Sequence, residues 1–399
     1  MTPTLYLTRN GLMEPLGQSQ VLAYLRGLST DCRITLITYE KDEDRNDIAR
    51  FTALRTECER LGIRWLPQRF RPRPKVIAPA LSMLRMVWLV RREVRGQQAQ
   101  LIHARSYIPA AVAMIVSRTT GVPFIFDMRA LWPEELITAG RLRRGSFLYR
   151  SIVMAERACL KSAAGVVSLT DAAVKHLRQI YSSELANQCI VVIPTCADLD
   201  RFVPAENKPD AIEIGCLGTV LSGWFKLDWL VSFLSVAVER RPNIRIALTT
   251  RDDPEEVRAA FRGNEAALER LEIAPSPSEQ VPDILRDQTA SVMFFTNGLS
   301  KLGSSPTRMG EILGCGMPVV ANDGVGDVAA IIRKYDVGVL VESASKEDMN
   351  VAWDKLQSLL EDPDLPDRCR RAAEEVFSLK SGIAAYRNLY EDILHRPSQ

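Results

Sequence analysis

Residues 290–322 read ASVMFFTNGLSKLGSSPTRMGEILGCGMPVVAN. Two apolar runs, 290–296 and 317–322, bracket a segment in which Pro306 follows Ser304 and Ser305, and in which Gly314 and Gly316 close a helical stretch. Proline is favoured in the first helical turn, where its missing N–H would have no intrahelical partner, and glycine at the end. The stretch is therefore strand, helix, strand, the unit from which parallel sheets are built. Outward from it, short apolar runs recur at 4–8, 34–39, 63–67, 101–104, 123–127, 165–170 and 190–194, and again at 212–218, 244–250, 268–274 and 337–342. Helical patterns fill the intervals. The polar segment FVPAENKPD, 202–210, carries two prolines and no periodicity, and separates the two sets as a linker. The expectation is an α/β chain of two doubly wound, Rossmann-like domains, 1–200 and 211–377. A last helical segment, 378–399, reaches back to the first domain. Open sheets of this kind take ligands beyond the carboxyl ends of their strands, so the two domains are expected to face one another across a cleft.

The 399 residues, 46% hydrophobic and 25% charged, suit two domains. The formal charge of +2 excludes a polyanion-binding tail and a strongly acidic solvating chain, and no nucleic-acid partner is expected. It hides an asymmetry, because residues 1–200 hold 28 basic and 18 acidic side chains and the remainder 23 and 31. The densest basic stretch, 69–95, runs from RFRPRPK into a helix-length segment with Met83, Leu84, Val87, Trp88 and Val90. Such an element can lie on an anionic membrane. It can equally be a surface loop followed by a core-packed helix whose arginines point outward, and the same field would serve a phosphate-rich substrate.

Eight cysteines without a CxxC pair read as reduced thiols, and the scattered His103, His176 and His395 give no metal centre. The N-terminus lacks the basic and apolar regions of a secretory signal, and no apolar run is long enough to span a bilayer. The expected setting is cytoplasmic, with contact at the inner face of the cell membrane if the 69–95 stretch is a lipid-binding one. No metal and no cofactor are expected.

Four segments can carry chemistry. Amides and hydroxyls at Ser304 and Ser305, at a helix start after a strand, suit an anion such as a diphosphate. Glu311, inside that helix, is placed to accept two ribose hydroxyls; an ordinary capped helix with an exposed glutamate is the alternative. The loop RNGLMEPLGQSQ, 9–20, offers Gly11 and Gly17 for close backbone approach, and Gln18 or Ser19 can start the next helix. The turn GCLGTVLSGWFKLDW, 215–229, carries Lys226 to neutralise a phosphate, and its lack of GxGxxG argues against a dinucleotide enzyme. In FIFDMRALWPEEL, 124–136, Asp127 can orient a sugar or assist proton transfer, or simply pair with Arg129. His103 and Arg105 end another strand, where a histidine is often a hydrogen-bonded structural residue. No nucleophile-histidine ordering is present.

LGQSQ in the first loop, FDMRALWPEE, and SSPTRMGEILGCGMPVVAN followed by GVGDV together resemble retaining nucleotide-sugar glycosyltransferases of family 4, of GT-B fold. The resemblance runs in matching order over nearly the whole chain and is closest to members with FDMR and SSPT motifs. It implies a donor on the second domain, an acceptor on the first, and catalysis without a metal. Two glutamates separated by seven residues mark that family; the second falls on Glu311, the ribose-binding one, and the first on Gly303. Ser304, Ser305, Pro306 and Thr307 match the stretch whose amides hold the diphosphate. The family's phosphate-gripping arginine falls on Thr219, its lysine on Lys226, its histidine near the reacting sugar on Asp127, and its first-loop glycine on Gly17. Lys301 or Arg308 can offset the lost positive charge, although Arg308 can also pair with Glu311.

The resemblance implies hexosyl transfer to a glycan or lipid-linked acceptor hydroxyl with retention, in bacterial surface polysaccharide or glycolipid synthesis. Oriented amides and Lys226 would stabilise the departing diphosphate while Asp127 positions the sugar. A sugar-nucleotide 2-epimerase shares the fold but requires more acid and base groups than Asp127 and His103. A non-catalytic nucleotide-sugar-binding protein fits the two departures at Gly303 and Thr219.

Overall fold

The computed structural model describes residues 1–70, 78–206 and 211–395. The chain divides into two compact units, Met1–Ile193 with the C-terminal segment from Leu379, and Pro194–Ser378. The division falls at Ile193, upstream of the 202–210 segment, of which 207–210 lie outside the described residues. Residues 195–202 are tied to the second unit: the Thr195 hydroxyl donates to the Ser305 carbonyl at 2.5 Å, and Arg370 donates to the carbonyls of Leu199 and Phe202 at 3.1 and 2.6 Å.

The first unit is a parallel seven-stranded sheet, β1 (Thr2–Thr8), β2 (Cys32–Glu40), β3 (Arg64–Arg69), β4 (Leu101–Arg105), β5 (Phe124–Asp127), β6 (Gly165–Ser168) and β7 (Ile190–Val192), in the order 3-2-1-4-5-6-7. The second is a parallel six-stranded sheet, β8 (Glu213–Leu217), β9 (Arg245–Thr249), β10 (Leu271–Ala274), β11 (Ala290–Met293), β12 (Val319–Asn322) and β13 (Gly338–Val341), in the order 10-9-8-11-12-13. Every expected strand is present. The central strands, such as β1, β4, β5, β11 and β12, are largely buried and mostly apolar, which is why apolar runs marked them, whereas the edge strands β3, β7 and β10 are half-buried or partly exposed. Both orders reverse beside the first strand, between β1 and β4 and between β8 and β11, and such switch points are where the connecting loops splay apart and leave room for a ligand.

Register sets the functional edge of the first sheet. Tyr6 of β1 lies beside His103 of β4, and Arg105 beside Asp127 of β5, so all four come to neighbouring carboxyl ends. The helix Leu379–His395 belongs to this unit and packs on the helix Ala23–Leu28, burying Tyr386, Leu389, Tyr390 and Ile393. Among the described residues all eight cysteines are unpaired, and no helix is long and apolar enough to cross a membrane.

Candidate active site

In the first unit Asp127 is the hub of a buried polar network. Its Oδ2 accepts from the Tyr386 hydroxyl at 3.1 Å and lies 3.2 Å from His103 Nε2, and its Oδ1 accepts from Arg129 Nη1 at 3.4 Å. Burial pushes the carboxyl pKa up, but Arg129, His103 and Arg105 outweigh it and hold the group well below the usual carboxylate range. Burial lowers the His103 pKa against the opposing pull of Asp127. A neutral imidazole with its proton on Nε2 satisfies both partners, donating to Asp127 and accepting from the Tyr390 hydroxyl 2.6 Å from Nδ1. Asp127 thus does pair with Arg129, and His103 has both ring nitrogens engaged. A carboxylate so far below neutrality and so fully bonded is a weak proton acceptor; it supplies fixed negative charge and orientation.

Arg105 and Arg129 complete the cluster. Both donate to Gln20 Oε1, at 2.7 and 3.4 Å, and Arg105 also donates to Asn10 Oδ1 at 3.3 Å. Their Nε atoms are buried and lack hydrogen-bond partners. Two buried guanidiniums face one carboxylate here, an excess of positive charge that suits an anionic or hydroxyl-rich ligand. The sequence signals for Gln20, Tyr386 and Tyr390 were too weak to mark them, since each gains its role only through a partner far along the chain.

The first loop departs from expectation. A helix already begins at Pro15, before Gln18 and Ser19, and continues through a π-helical turn at Gln18–Leu22. Gly17 is buried inside it, and a Cβ there would meet the Gly11 carbonyl oxygen at 2.0 Å. Its missing side chain is explained by closure of the loop on itself. Glu40 fastens the same loop, accepting from the amides of Leu12 and Met13 at 2.7 and 3.2 Å.

In the second unit, the segments after β8 and β11 meet. The Lys226 amide donates to the Phe294 carbonyl at 3.0 Å and the Thr296 amide to the Trp224 carbonyl at 3.0 Å. Three cations are seated on aromatic faces along these segments: Lys226 Nζ 3.7 Å from the Trp229 ring centre, Lys301 Nζ 3.9 Å from Trp224, and the Arg308 guanidinium carbon 5.2 Å from Phe295. Such contacts hold a charge in place without neutralising it. Burial lowers the Lys226 pKa, against Asp228.

Thr219 is exposed beside Gly218, whose φ is +92°. A Cβ on Gly218 would lie 2.4 Å from Arg308 Nη2, so the guanidinium occupies the space that residue leaves. Arg308 therefore does not pair with Glu311; it lies against the loop that carries Thr219, with Nη1 buried and without a hydrogen-bond partner. The loop amides of Val220 and Leu221 are held by Asp252 Oδ2 at 2.6 and 3.1 Å, a contact no local motif announced.

The helix Thr307–Gly314 starts one residue later than expected, with Pro306 as its cap and no side-chain capping bond. The Ser305 hydroxyl oxygen accepts from the Thr195 amide at 3.2 Å, an arrangement that occupies its lone pair and not its O–H. Gly303, which ends the helix Leu299–Leu302, has φ −89° and ψ 14°, a conformation open to any residue, so the backbone does not demand glycine there. Glu311 is half-buried, and burial raises its pKa to about 7 against the lowering influence of Arg308 and Arg201. Among the described residues no three His, Cys, Asp or Glu side chains gather as a metal site.

Two parallel, doubly wound units, each with charged groups at the carboxyl edge of its sheet, define the GT-B class of glycosyltransferase architecture. Residues 18–196 match the glycosyl transferase 4-like domain and residues 264–376 the glycosyl transferases group 1 domain, so the chain is built of two glycosyltransferase domains. No curated protein sequence matches it. Among solved structures it is similar to a glycosyltransferase from Rickettsia africae (TM-score 0.73, 14% identity, 99% of each chain covered). It is also similar to Anabaena HepE in complex with UDP and glucose (TM-score 0.68, 13% identity, 98% of this chain and 100% of that one). A third is WaaG, a glycosyltransferase involved in lipopolysaccharide biosynthesis (TM-score 0.66, 14% identity, 99% and 100%).

Proposed function

We propose that the protein transfers a hexosyl group from a nucleotide-diphosphate sugar to an acceptor hydroxyl with retention at the anomeric carbon, without a metal or cofactor. The observation that carries the donor half is the set of three aromatic-seated cations, Lys226 and Lys301 on the segments after β8 and β11 and Arg308 in the first turn of the Thr307–Gly314 helix. Bond breaking leaves negative charge on the diphosphate, and Lys226, Arg308 and the N-terminal end of the Thr307–Gly314 helix supply fixed positive potential there. The anomeric carbon exchanges its bond to the phosphate oxygen for one to the acceptor oxygen, and the acceptor proton passes to the departing phosphate. Glu311 accepts the ribose hydroxyls, and Gly303 leaves the donor-sugar side open.

The first unit takes the acceptor. Arg105 and Arg129 beside ionised Asp127 supply hydroxyl and anion contacts, His103 holds Asp127 in place, and Asp127 positions the sugar. That Asp127 is fully bonded and His103 neutral leaves no ready proton shuttle for an epimerase. HepE was solved with UDP and glucose and WaaG belongs to lipopolysaccharide biosynthesis; by likeness to them, a uridine diphosphate sugar and a surface glycan or glycolipid acceptor are the first to test. The setting is the inner face of the cell membrane, with part of the contact in basic 69–95, of which 71–77 lie outside the described residues.

A thermal-shift screen against UDP-, GDP-, ADP- and dTDP-sugars tests the donor assignment, because a ligand of the folded state raises the melting temperature. One nucleotide class should stabilise the protein, and Glu311→Ala should abolish the shift. No stabilisation by any of them would overturn the reading. Incubation of the stabilising donor alone, with no change in its sugar, separates transfer from epimerisation.

A further inference from the structure

We propose that the first unit docks on an anionic bilayer through the outer faces of three adjacent helices, Ala78–Gly96, Tyr107–Thr120 and Phe147–Ser162. The middle helix packs against the other two. Each buries one face: Met86, Val90 and Val94 in the first, Val112, Ala113 and Val116 in the second, Cys159 and Leu160 in the third. The opposite faces carry large apolar side chains in water. Phe147 is 86% exposed, Met154 69%, Leu84 66% and Trp88 61%, joined by Leu148 and Ile115. Scattered exposed apolar residues need no explanation, but a group of them on packed neighbouring helices marks an interaction surface.

Charge selects the partner. Arg85, Arg92, Arg118 and Arg150 stand exposed on these faces, whereas the sole carboxylates of the three helices, Glu93 and Glu156, are buried. Along the third helix Phe147, Arg150, Met154, Arg157 and Lys161 recur at spacings of three and four, so apolar and basic side chains alternate down one stripe. Along the first, Leu84 and Trp88 are followed on the same stripe by Arg92 and Arg95, with the Arg92 guanidinium 4.9 Å over the Trp88 ring. Two of the stripe's cations have acidic partners, Arg157 with Glu184 outside the three helices, and Arg92 with buried Glu93 on its own helix. Net positive charge remains. Alternating cations and aromatics on a helix face suit the boundary between headgroups and acyl chains, where the rings enter and the guanidiniums stay with phosphate. A second copy of this chain would present the same positive field and be repelled.

This deepens the membrane part of the proposed function and does not rest on the transferase reaction. The full chain is tested by flotation with vesicles of phosphatidylcholine alone and of phosphatidylcholine with phosphatidylglycerol. Binding to the second kind only is expected. Phe147→Ser with Met154→Ser should abolish it, and Arg85→Glu or Arg150→Glu should each lower the partition coefficient by roughly fivefold or more. Ile48→Ser and Arg262→Glu, exposed changes on other elements, should bind as the parent does. Circular dichroism and melting confirm that each variant is folded. Absence of binding to anionic vesicles by the parent, equal binding by the Phe147/Met154 variant, or a concentration-dependent dimer that those changes dissolve would overturn the proposal. Donor stabilisation measured in the same preparations shows independently whether the transferase reading stands.

Discussion

Glu311 and Arg308 sit three residues apart on one helix, yet each answers to a different neighbourhood. Burial lifts the Glu311 pKa from 4.5 to about 7, so the carboxyl is partly protonated near neutrality before any ligand arrives. Ribose hydroxyls bond the ionised form best, so donor affinity should rise with pH, by up to about tenfold between about pH 6 and about pH 8. Glu311→Gln should bind weakly with a flat profile; calorimetric titration across that range decides, and an unchanged slope in the variant would remove Glu311 from the ribose site. Stability moves the other way. A carboxyl whose folded pKa lies above its unfolded value binds protons more readily in the fold, so its favourable contribution is full below pH 4.5 and is lost as pH rises through about 7. Glu311→Gln should therefore gain on the order of 1 kcal/mol over the parent at about pH 8, judged by urea unfolding. Arg308 is the complementary case. The guanidinium rests where Gly218 lacks a side chain, next to exposed Thr219, so in the proposed donor site the helix would supply the charge that Thr219 does not. A charge-assisted contact to phosphate is worth about 1.5–3 kcal/mol. Arg308→Ala should raise the Kd for the nucleoside diphosphate by roughly tenfold to a hundredfold, and Thr219→Arg in that background should recover much of it. Equal affinity in the parent and Arg308→Ala would show that Lys226 and Lys301 suffice.

The helix Thr307–Gly314 depends on small residues to reach its place. Gly310 lies so close to the 373–377 turn that an added Cβ would meet the Phe377 Cβ at 2.7 Å and the Ala197 Cβ at 3.3 Å. Alanine favours a helix by up to about 1 kcal/mol over glycine, but overpacking of this kind costs about 1–3 kcal/mol. The clash is with a Cβ, which cannot swing aside as a side-chain tip can, so overpacking should win. Gly310→Ala is expected to lower the melting temperature by about 2–4 °C for each kcal/mol lost and to weaken nucleotide binding as the helix shifts; a higher melting temperature would show that the packing yields. Elements of this kind mark the limit of what was legible beforehand. All thirteen strands and both sheets could be read because buried parallel strands are continuous apolar runs, a property of each segment alone. Asp127, Arg129, Lys226 and Glu311 could be placed at strand ends and on the helix for the same reason. The Tyr386 and Tyr390 hydroxyls on Asp127 and His103, Ser305 turned to Thr195, and Asp252 on the 220–221 amides join residues about 30 to 290 positions apart. No local pattern specifies such partners. A glycine required by its own loop and a glycine required by a ligand look alike in sequence, and at Gly17 the Gly11 carbonyl shows the loop's own requirement.

Across the whole molecule the near-neutral total is a cancellation between a basic first half and an acidic second half. The two halves are expected to respond differently to salt, because their ligands meet charge in different surroundings. The cations on the three outer helices are exposed, and interactions of exposed charges fade beyond a screening length of about 10 Å at 0.1 M salt. Vesicle binding summed over several such residues should fall by more than about tenfold between about 0.05 and about 0.3 M salt. The proposed donor site lies in the acidic half, whose far field would oppose a nucleoside diphosphate, while Lys226, Lys301 and Arg308 would attract it at short range from half-buried or buried seats on Trp229, Trp224 and Phe295. Salt weakens the distant repulsion as well as the local attraction, and buried charges are screened least. The nucleotide Kd should consequently change by less than about threefold over the same range, as read by calorimetry on the full chain. Parallel, steep loss of both vesicle and nucleotide binding would show that the donor is drawn by the general field of the protein and not by seated cations, and would take from Arg308 the role assigned to it.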